Sequence, residues 1–323
     1  MKIIEVIFEQ AFLERVEKIA QKLDLYYRLG PQEEDERRSI RIIVSPEKRQ
    51  ELLDLLQSAL VKSESARIIV IPAEVVLPRS EEDEEKTEKQ SVTTTREELY
   101  YGVEKGARLD STYLLLVFLS TVVAAIGLLE DNVAVVIGAM VIAPLLGPNI
   151  ALALASALGD SELAVKGLKT GLSGLGLAFV ISVVIGLIWP LDFNSQELIS
   201  RTHVGLDSLA LALASGAAAV LSLTTGLSSV LVGVMVAVAL LPPTATMGML
   251  LGNGQVSMAL GAGLLLAANI VCVNLAAKVV FLIKGVKPRT WLEKKKAKQS
   301  MAVYLLLWII SLAIIVIIIL FRQ

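Results

Sequence analysis

The residues with the most chemistry to offer are prolines, glycines and amides set inside apolar stretches. Residues 143–149 read Ala-Pro-Leu-Leu-Gly-Pro-Asn, and residues 240–246 read Leu-Leu-Pro-Pro-Thr-Ala-Thr. A proline inside a helix removes an N–H and clashes with the preceding turn, at about 3 kcal/mol or more. Two prolines in each stretch should therefore leave carbonyls without partners. At membrane depth such backbone persists only where protein buries it or a water-filled cavity faces it. Matching interruptions in two halves of a chain point to a substrate or ion site. The candidate path comprises Gly138, Pro144, Gly147, Pro148 and Asn149 in the first stretch and Gly233, Pro242, Pro243, Thr244 and Thr246 in the second. Asn269, Asn274 and Lys278 join it from a later stretch, Lys278 four residues after Asn274 and on the same helix face. Plainer readings of these residues are proline kinks that help packing, interhelical hydrogen bonds from the asparagines and a Lys278 that snorkels to the interface.

The chemistry implied is the handling of a solute, not its transformation. The single histidine, His203, and the single cysteine, Cys272, make no transition-metal site. No Asp or Glu falls at mid-depth of an apolar stretch, which argues against a carboxylate-based proton or cation pump. A neutral solute, an anion, or an ion held by backbone carbonyls and half-helix ends fits better. There is no Walker A or GxGxxG run and no paired membrane aspartates. No catalytic residue, metal or cofactor is expected, and the chain is not read as an enzyme. No basic tract with interleaved aromatics points to nucleic acid.

These residues must be held by membrane helices. The chain has 323 residues, 54% of them hydrophobic, with a mean hydropathy of +0.67. Residues 208–277 contain no Asp, Glu, Lys or Arg, a run of 70 residues, enough for three spans at roughly 20 residues each. Seven spans are expected, at about 111–129, 133–158, 168–190, 207–224, 228–251, 256–283 and 300–321. The second and fifth carry the prolines and are expected to be broken.

Shifting the sequence by 95 residues lays 135–148, VVIGAMVIAPLLGP, on 230–243, VLVGVMVAVALLPP, with seven of 14 positions identical. The register extends to Ser120/Ser215, Ala124/Ala219 and Gly159/Gly254. It carries spans 1–3 (residues 111–190) onto spans 4–6 (207–284). Three is an odd number, so the second copy must be inverted in the membrane, with span 7 outside the symmetry.

Residues 1–78 read as β-α-β-β-α-β, the order of a ferredoxin-like domain. The first strand includes Ile3 to Phe8, and the second runs from Leu25 to Leu29, ended by Gly30 and Pro31. Ser45 and Pro46 open the second helix. Such a domain is either structural and oligomerising or ligand-sensing. Residues 79–94 form an acidic linker and 95–110 an amphipathic interfacial helix. Lys166, Lys169 and the basic run at 284–298 put the N-terminal domain in the cytoplasm and the C-terminus outside.

The stretch NVAVVIGAMVIAPLLGPNIALALA, residues 132–155, resembles the signature of the DUF389 family, a hydrophobic membrane domain of bacteria and archaea. The resemblance covers about 95–285 and implies a prokaryotic plasma membrane. The arrangement is also similar, by analogy, to the three-plus-three-plus-one helices of trimeric intracellular cation (TRIC) channels. The expected function is a channel or secondary transporter for a small solute or ion, its path between spans 2 and 5, regulated by the N-terminal domain. The alternative is a membrane-anchored ligand-sensing or scaffold protein without transport. The expected partners are the lipid bilayer, the solute or ion, a small-molecule effector on the N-terminal domain and further copies of the chain.

Overall fold

A computed structural model describes residues 2–32, 37–63, 65–73, 95–190, 195–225, 229–286, 306 and 308–319. The acidic linker and most of the basic run after residue 286 lie outside the described residues. The chain divides into two units between Arg96 and Glu97.

The first unit is an antiparallel sheet with two helices on one face. Its elements are β1 (Lys2–Glu9), α1 (Leu13–Lys22), β2 (Tyr27–Gln32), β3 (Arg37–Val44), α2 (Pro46–Leu60) and β4 (Arg67–Pro72). The strand order is β2-β3-β1-β4. Alternation sets the inner face, because successive side chains on a strand point opposite ways. Ile4, Val6 and Phe8 of β1 and Ile40, Ile42 and Val44 of β3 are buried with Val16 and Ala20 of α1 and Leu52, Leu53 and Leu56 of α2. The expected end of β2 at Gly30-Pro31 is corrected. The strand runs through both residues with an irregularity between Leu29 and Gln32. It lies at the sheet edge, where a missing N–H is tolerated, and a side chain at Gly30 would strike Ser39.

The second unit is helical: α3 (Arg96–Gly106), α4 (Ser111–Leu129), α5 (Val133–Ile142), α6 (Leu146–Leu158), α7 (Ser161–Ile188), α8 (Leu206–Thr225), α9 (Ser229–Gly252) and α10 (Val256–Ile283), then α11 (Trp308–Ile319). Polar residues between the apolar runs fix the starts by accepting the first free N–H groups. Asp110 accepts from the Tyr113 N–H at 2.7 Å. Asn132 accepts from Val135 at 3.2 Å, and Asp160 from Glu162 and Leu163 at 3.0 Å each. Among the described residues, four helices, α4, α7, α8 and α10, are long and apolar enough to cross a membrane, and the bent pair α5–α6 makes a fifth if it is one span. The chain is a membrane protein.

Helix bounds recur at the 95-residue offset. α7 and α10 are both 28 residues long, and 161–188 becomes 256–283. The contacts recur too. α7 packs on α9 as α6 packs on α10, and α4 packs on α7 as α8 packs on α10.

Glycines bring backbones together at the longest of these interfaces. A side chain at Gly186 of α7 would meet the backbone of Met249. One at Gly248 would meet Phe179 and Ser182, and one at Gly252 would meet Val183 and Leu187. Moving along α9 from 248 to 252 thus moves forward along α7, so the two run parallel. α6 turns back into α7 and runs against it, with Gly167 and Gly171 on Pro148. The two proline-bearing segments, α6 and α9, therefore point in opposite directions.

Candidate functional site

The two proline segments solve one problem in different ways. In the first, α5 stops at Ile142 and α6 starts at Leu146, with a bend of 56° between them. Pro144 lies in the break. Pro148 is the third residue of α6, where an N–H would have no helical partner in any case. Gly147 sits where α3 ends, and a side chain there would strike Gly106. Gly138 has open space around it.

The second segment corrects the expectation of a broken helix. α9 is continuous from Ser229 to Gly252 with Pro242 and Pro243 inside it. Each proline deprives the carbonyl four residues earlier of its donor. For Pro243 that carbonyl is Ala239, and the side-chain amide of Asn269 donates to it at 2.8 Å. The Thr244 hydroxyl donates to Leu240 at 2.7 Å. Thr246 is fully buried, and its hydroxyl has no hydrogen-bond partner among the described residues. Gly233 belongs to α9, with its surroundings outside the described residues.

Asn149 and Asn274, distant in sequence, meet. Asn274 of α10 donates from Nδ2 to Oδ1 of Asn149 at 3.0 Å and to the Ile270 carbonyl at 2.9 Å. Asn149 in turn donates to Leu145, the residue before α6, at 3.4 Å. One amide bridge thus ties the broken segment to α10. Lys278, one turn beyond Asn274, is wholly buried within the chain.

A cavity of about 200 Å³ opens onto the second segment. Its wall includes Val238, Ala239, Pro243 and Asn269, the residues around the interrupted helical bonds, with Ser208 and Ser215 of α8. Its other side is the segment 195–202, which contributes Glu197, Ser200 and Arg201. Ser208 to Ser215 is seven residues, so the cavity reaches about 10 Å along α8. The Glu197 and Arg201 side chains pair at 2.7 Å, and Arg201 also contacts the Glu197 carbonyl and Ser200 at 3.2 Å. The segment is pinned to the far end of α4. The Ser195 hydroxyl donates to Leu128 at 2.7 Å, and Asp131 accepts from the Glu197 N–H at 2.7 Å. A second cavity, about 300 Å³, is lined by Thr202, His203, Val204, Ser257, Met258, Leu264 and Ile319.

The expected residues therefore separate into two groups. Pro243 and Asn269 reach the cavity; Asn149, Asn274 and the α5–α6 break do not line it. Sequence reasoning missed Glu197, Arg201, Ser208 and Ser215. The signal was present in part, because Ser215 was already matched to Ser120 in the repeat.

The matching family model is described as a domain of unknown function (DUF389) and covers residues 140–275. A protein of Methanocaldococcus jannaschii, itself called uncharacterized, is 36% identical over 282 residues, 87% of each chain. The chain belongs to the DUF389 family. The family match spans α6 to α9 and most of α10, and so contains both proline segments, Asn149, Asn269 and Asn274. No solved structure matches the chain.

Proposed function

We propose that this DUF389 protein is a channel or secondary transporter for a small solute or ion, with its path along the proline-bearing helices. The observation that carries the reading is the cavity whose wall joins Val238, Ala239 and Pro243 to the Asn269 amide and to the Ser208 and Ser215 hydroxyls. Backbone with interrupted hydrogen bonding at membrane depth is tolerated where it lines a cavity, and here it does. An anchor without transport has no use for such a recess, so the cavity favours transport over the sensing or scaffold alternative.

The same reading takes spans 1–3 and 4–6 as an inverted repeat with a seventh helix appended. The recurring helix bounds, the mirrored contacts and the opposed directions of α6 and α9 support it. The first unit is read as a ferredoxin-like domain on the strength of its order β2-β3-β1-β4, acting as a regulatory domain that takes a small-molecule effector. The basic Lys166 and Lys169 support a cytoplasmic side for it, and the archaeal relative is consistent with a prokaryotic plasma membrane. The chain works as a homo-oligomer and not as an enzyme.

Flux into proteoliposomes tests the reading. Pro243→Ala and Pro148→Ala, each purified as intact protein, should change solute uptake measured across a panel of ions and small metabolites. Wild-type liposomes that pass nothing above the empty-vesicle rate, across that panel, would count decisively against transport.

A further inference from the structure

The repeat predicts a second cavity, and its place is filled. Subtracting 95 from the cavity residues converts Ser208, Ser215, Pro243 and Asn269 into Tyr113, Ser120, Pro148 and Gly174. It converts the 197–201 segment into 102–106, the last turns of α3. These counterparts lie together. The Tyr113 ring packs against Gly174, where a side chain would collide with it, and its hydroxyl donates to the Thr170 carbonyl at 3.1 Å. Thr170 in turn donates to Ala107, just past α3, at 2.7 Å, and Gly106 closes on Gly147. Tyr113 and Ser120 are both buried; of their counterparts Ser215 is buried as well, and Ser208 is partly exposed. Where the second repeat has a small hydroxyl and an amide on one cavity wall, the first has an aromatic ring against a glycine.

The two places lie at opposite ends of the bundle. The 195–202 segment is fixed to the last turn of α4 through Leu128, whereas Tyr113 stands in its first turn. We propose that α4, α6 and α7 form a latent twin of the open cavity, occluded by Tyr113, and that one small uncharged polar solute of the polyol or amide class uses both. This rests on the transport reading above. The class follows from the open cavity. Its two charged groups, Glu197 and Arg201, neutralise each other at 2.7 Å, leaving the Ser200, Ser208 and Ser215 hydroxyls and the Asn269 amide to exchange hydrogen bonds within a wall otherwise apolar, Leu211 and Leu265 included. An unpaired ion would enter such a site without compensation for its lost hydration. The volume suits a molecule of a few heavy atoms, since an engineered cavity of about 150 Å³ admits benzene.

Thiol accessibility tests the twin site without depending on transport. With Cys272→Ala as background, Ser215→Cys should react with a membrane-impermeant maleimide from one side of the membrane. Ser120→Cys should stay at background with Tyr113 or Tyr113→Phe, and react at least tenfold faster, from the opposite side, with Tyr113→Ser. An unchanged Ser120→Cys rate in a Tyr113→Ser protein that elutes like the wild type overturns the proposal, as does labelling of both cysteines from one side. Should Tyr113→Ser not fold, Ser208→Tyr decides in its place: it should slow Ser215→Cys labelling at least tenfold, and an unaltered rate refutes the twin. Glycerol or urea should protect Ser215→Cys; protection by inorganic phosphate or potassium ions alone refutes the solute class. If the accessibility results hold and liposomes pass nothing, it is the transport reading that fails.

Discussion

Asn269 stands over Ala239 and supplies, from another helix, the hydrogen bond that Pro243 cannot give. This relationship explains why α9 stays whole while the corresponding stretch breaks between α5 and α6. The position 95 residues before Asn269 is Gly174, which has no amide to offer, and the chain there opens at Ala143–Leu145.

The amide and the proline should therefore be coupled. Asn269→Ala should destabilise the protein by roughly 1–3 kcal/mol, the range for a buried acceptor left alone. In a Pro243→Ala background, where residue 243 regains an N–H for Ala239, the same substitution should cost at least about 1 kcal/mol less. A double-mutant cycle on thermal unfolding in detergent measures the difference. Additive effects would mean that the Ala239 carbonyl does not depend on Asn269.

The amide bridge between Asn149 and Asn274 should behave as an ordinary interhelical bond in a membrane. Its coupling, from Asn149→Leu and Asn274→Leu alone and together, should lie near 0.6 kcal/mol and below about 1.7. A coupling of zero would mean that the 3.0 Å contact does not hold the broken segment to α10.

Glycine substitutions should divide sharply. Gly186→Ala and Gly248→Ala force a Cβ onto backbone of the facing helix and should lower stability by about 1–3 kcal/mol. Gly138→Ala and Gly176→Ala meet nothing within 4 Å and should change the melting temperature little or not at all. Equal effects at all four positions would refute the close approach of α7 and α9.

Tyr100 of α3 gives a pH dependence. Its hydroxyl donates to Oδ2 of Asp160 at 2.8 Å, while Oδ1 of the same carboxylate caps α7. Burial, then the hydrogen bond and the negative charge of Asp160, push the tyrosine from 10.0 up to about 12. Below pH 10 the phenol is neutral whether folded or unfolded, and the contact is fully present. Between pH 10 and about 12 only the unfolded state ionises, so stability falls as pH rises through that window. Thermal unfolding in detergent should show this fall, and Tyr100→Phe should reduce it.

How far the sequence disclosed this site depended on distance along the chain. Apolar runs bounded by Asp110, Asn132, Asp160 and Gly159 placed α4 to α7 to within a few residues, except the start of α7, because caps and composition are local. The break at Pro144 was legible for the same reason. The continuity of α9 was not, since the group that repairs it is 30 residues away. The 195–202 segment fell between the third and fourth expected spans, its sequence too short and polar to cross a membrane. Only its pairing with Leu128 and Asp131 turns it into a cavity wall. The edge strand β2 was cut short at Gly30-Pro31 because its edge position depends on the sheet order.

The contact of α7 with α9 has a mechanical consequence. At Gly186, Gly248 and Gly252 main chain lies on main chain, with no side chains between to reorient or compress. Prising these helices apart would leave a gap that neither rotamer changes nor nearby groups could fill, and sliding along the shared axis would carry side chains into positions where only glycine fits. The pair therefore acts as a keel, and under the transport reading proposed above the moving parts would be α4, α6, α8 and α10 around it.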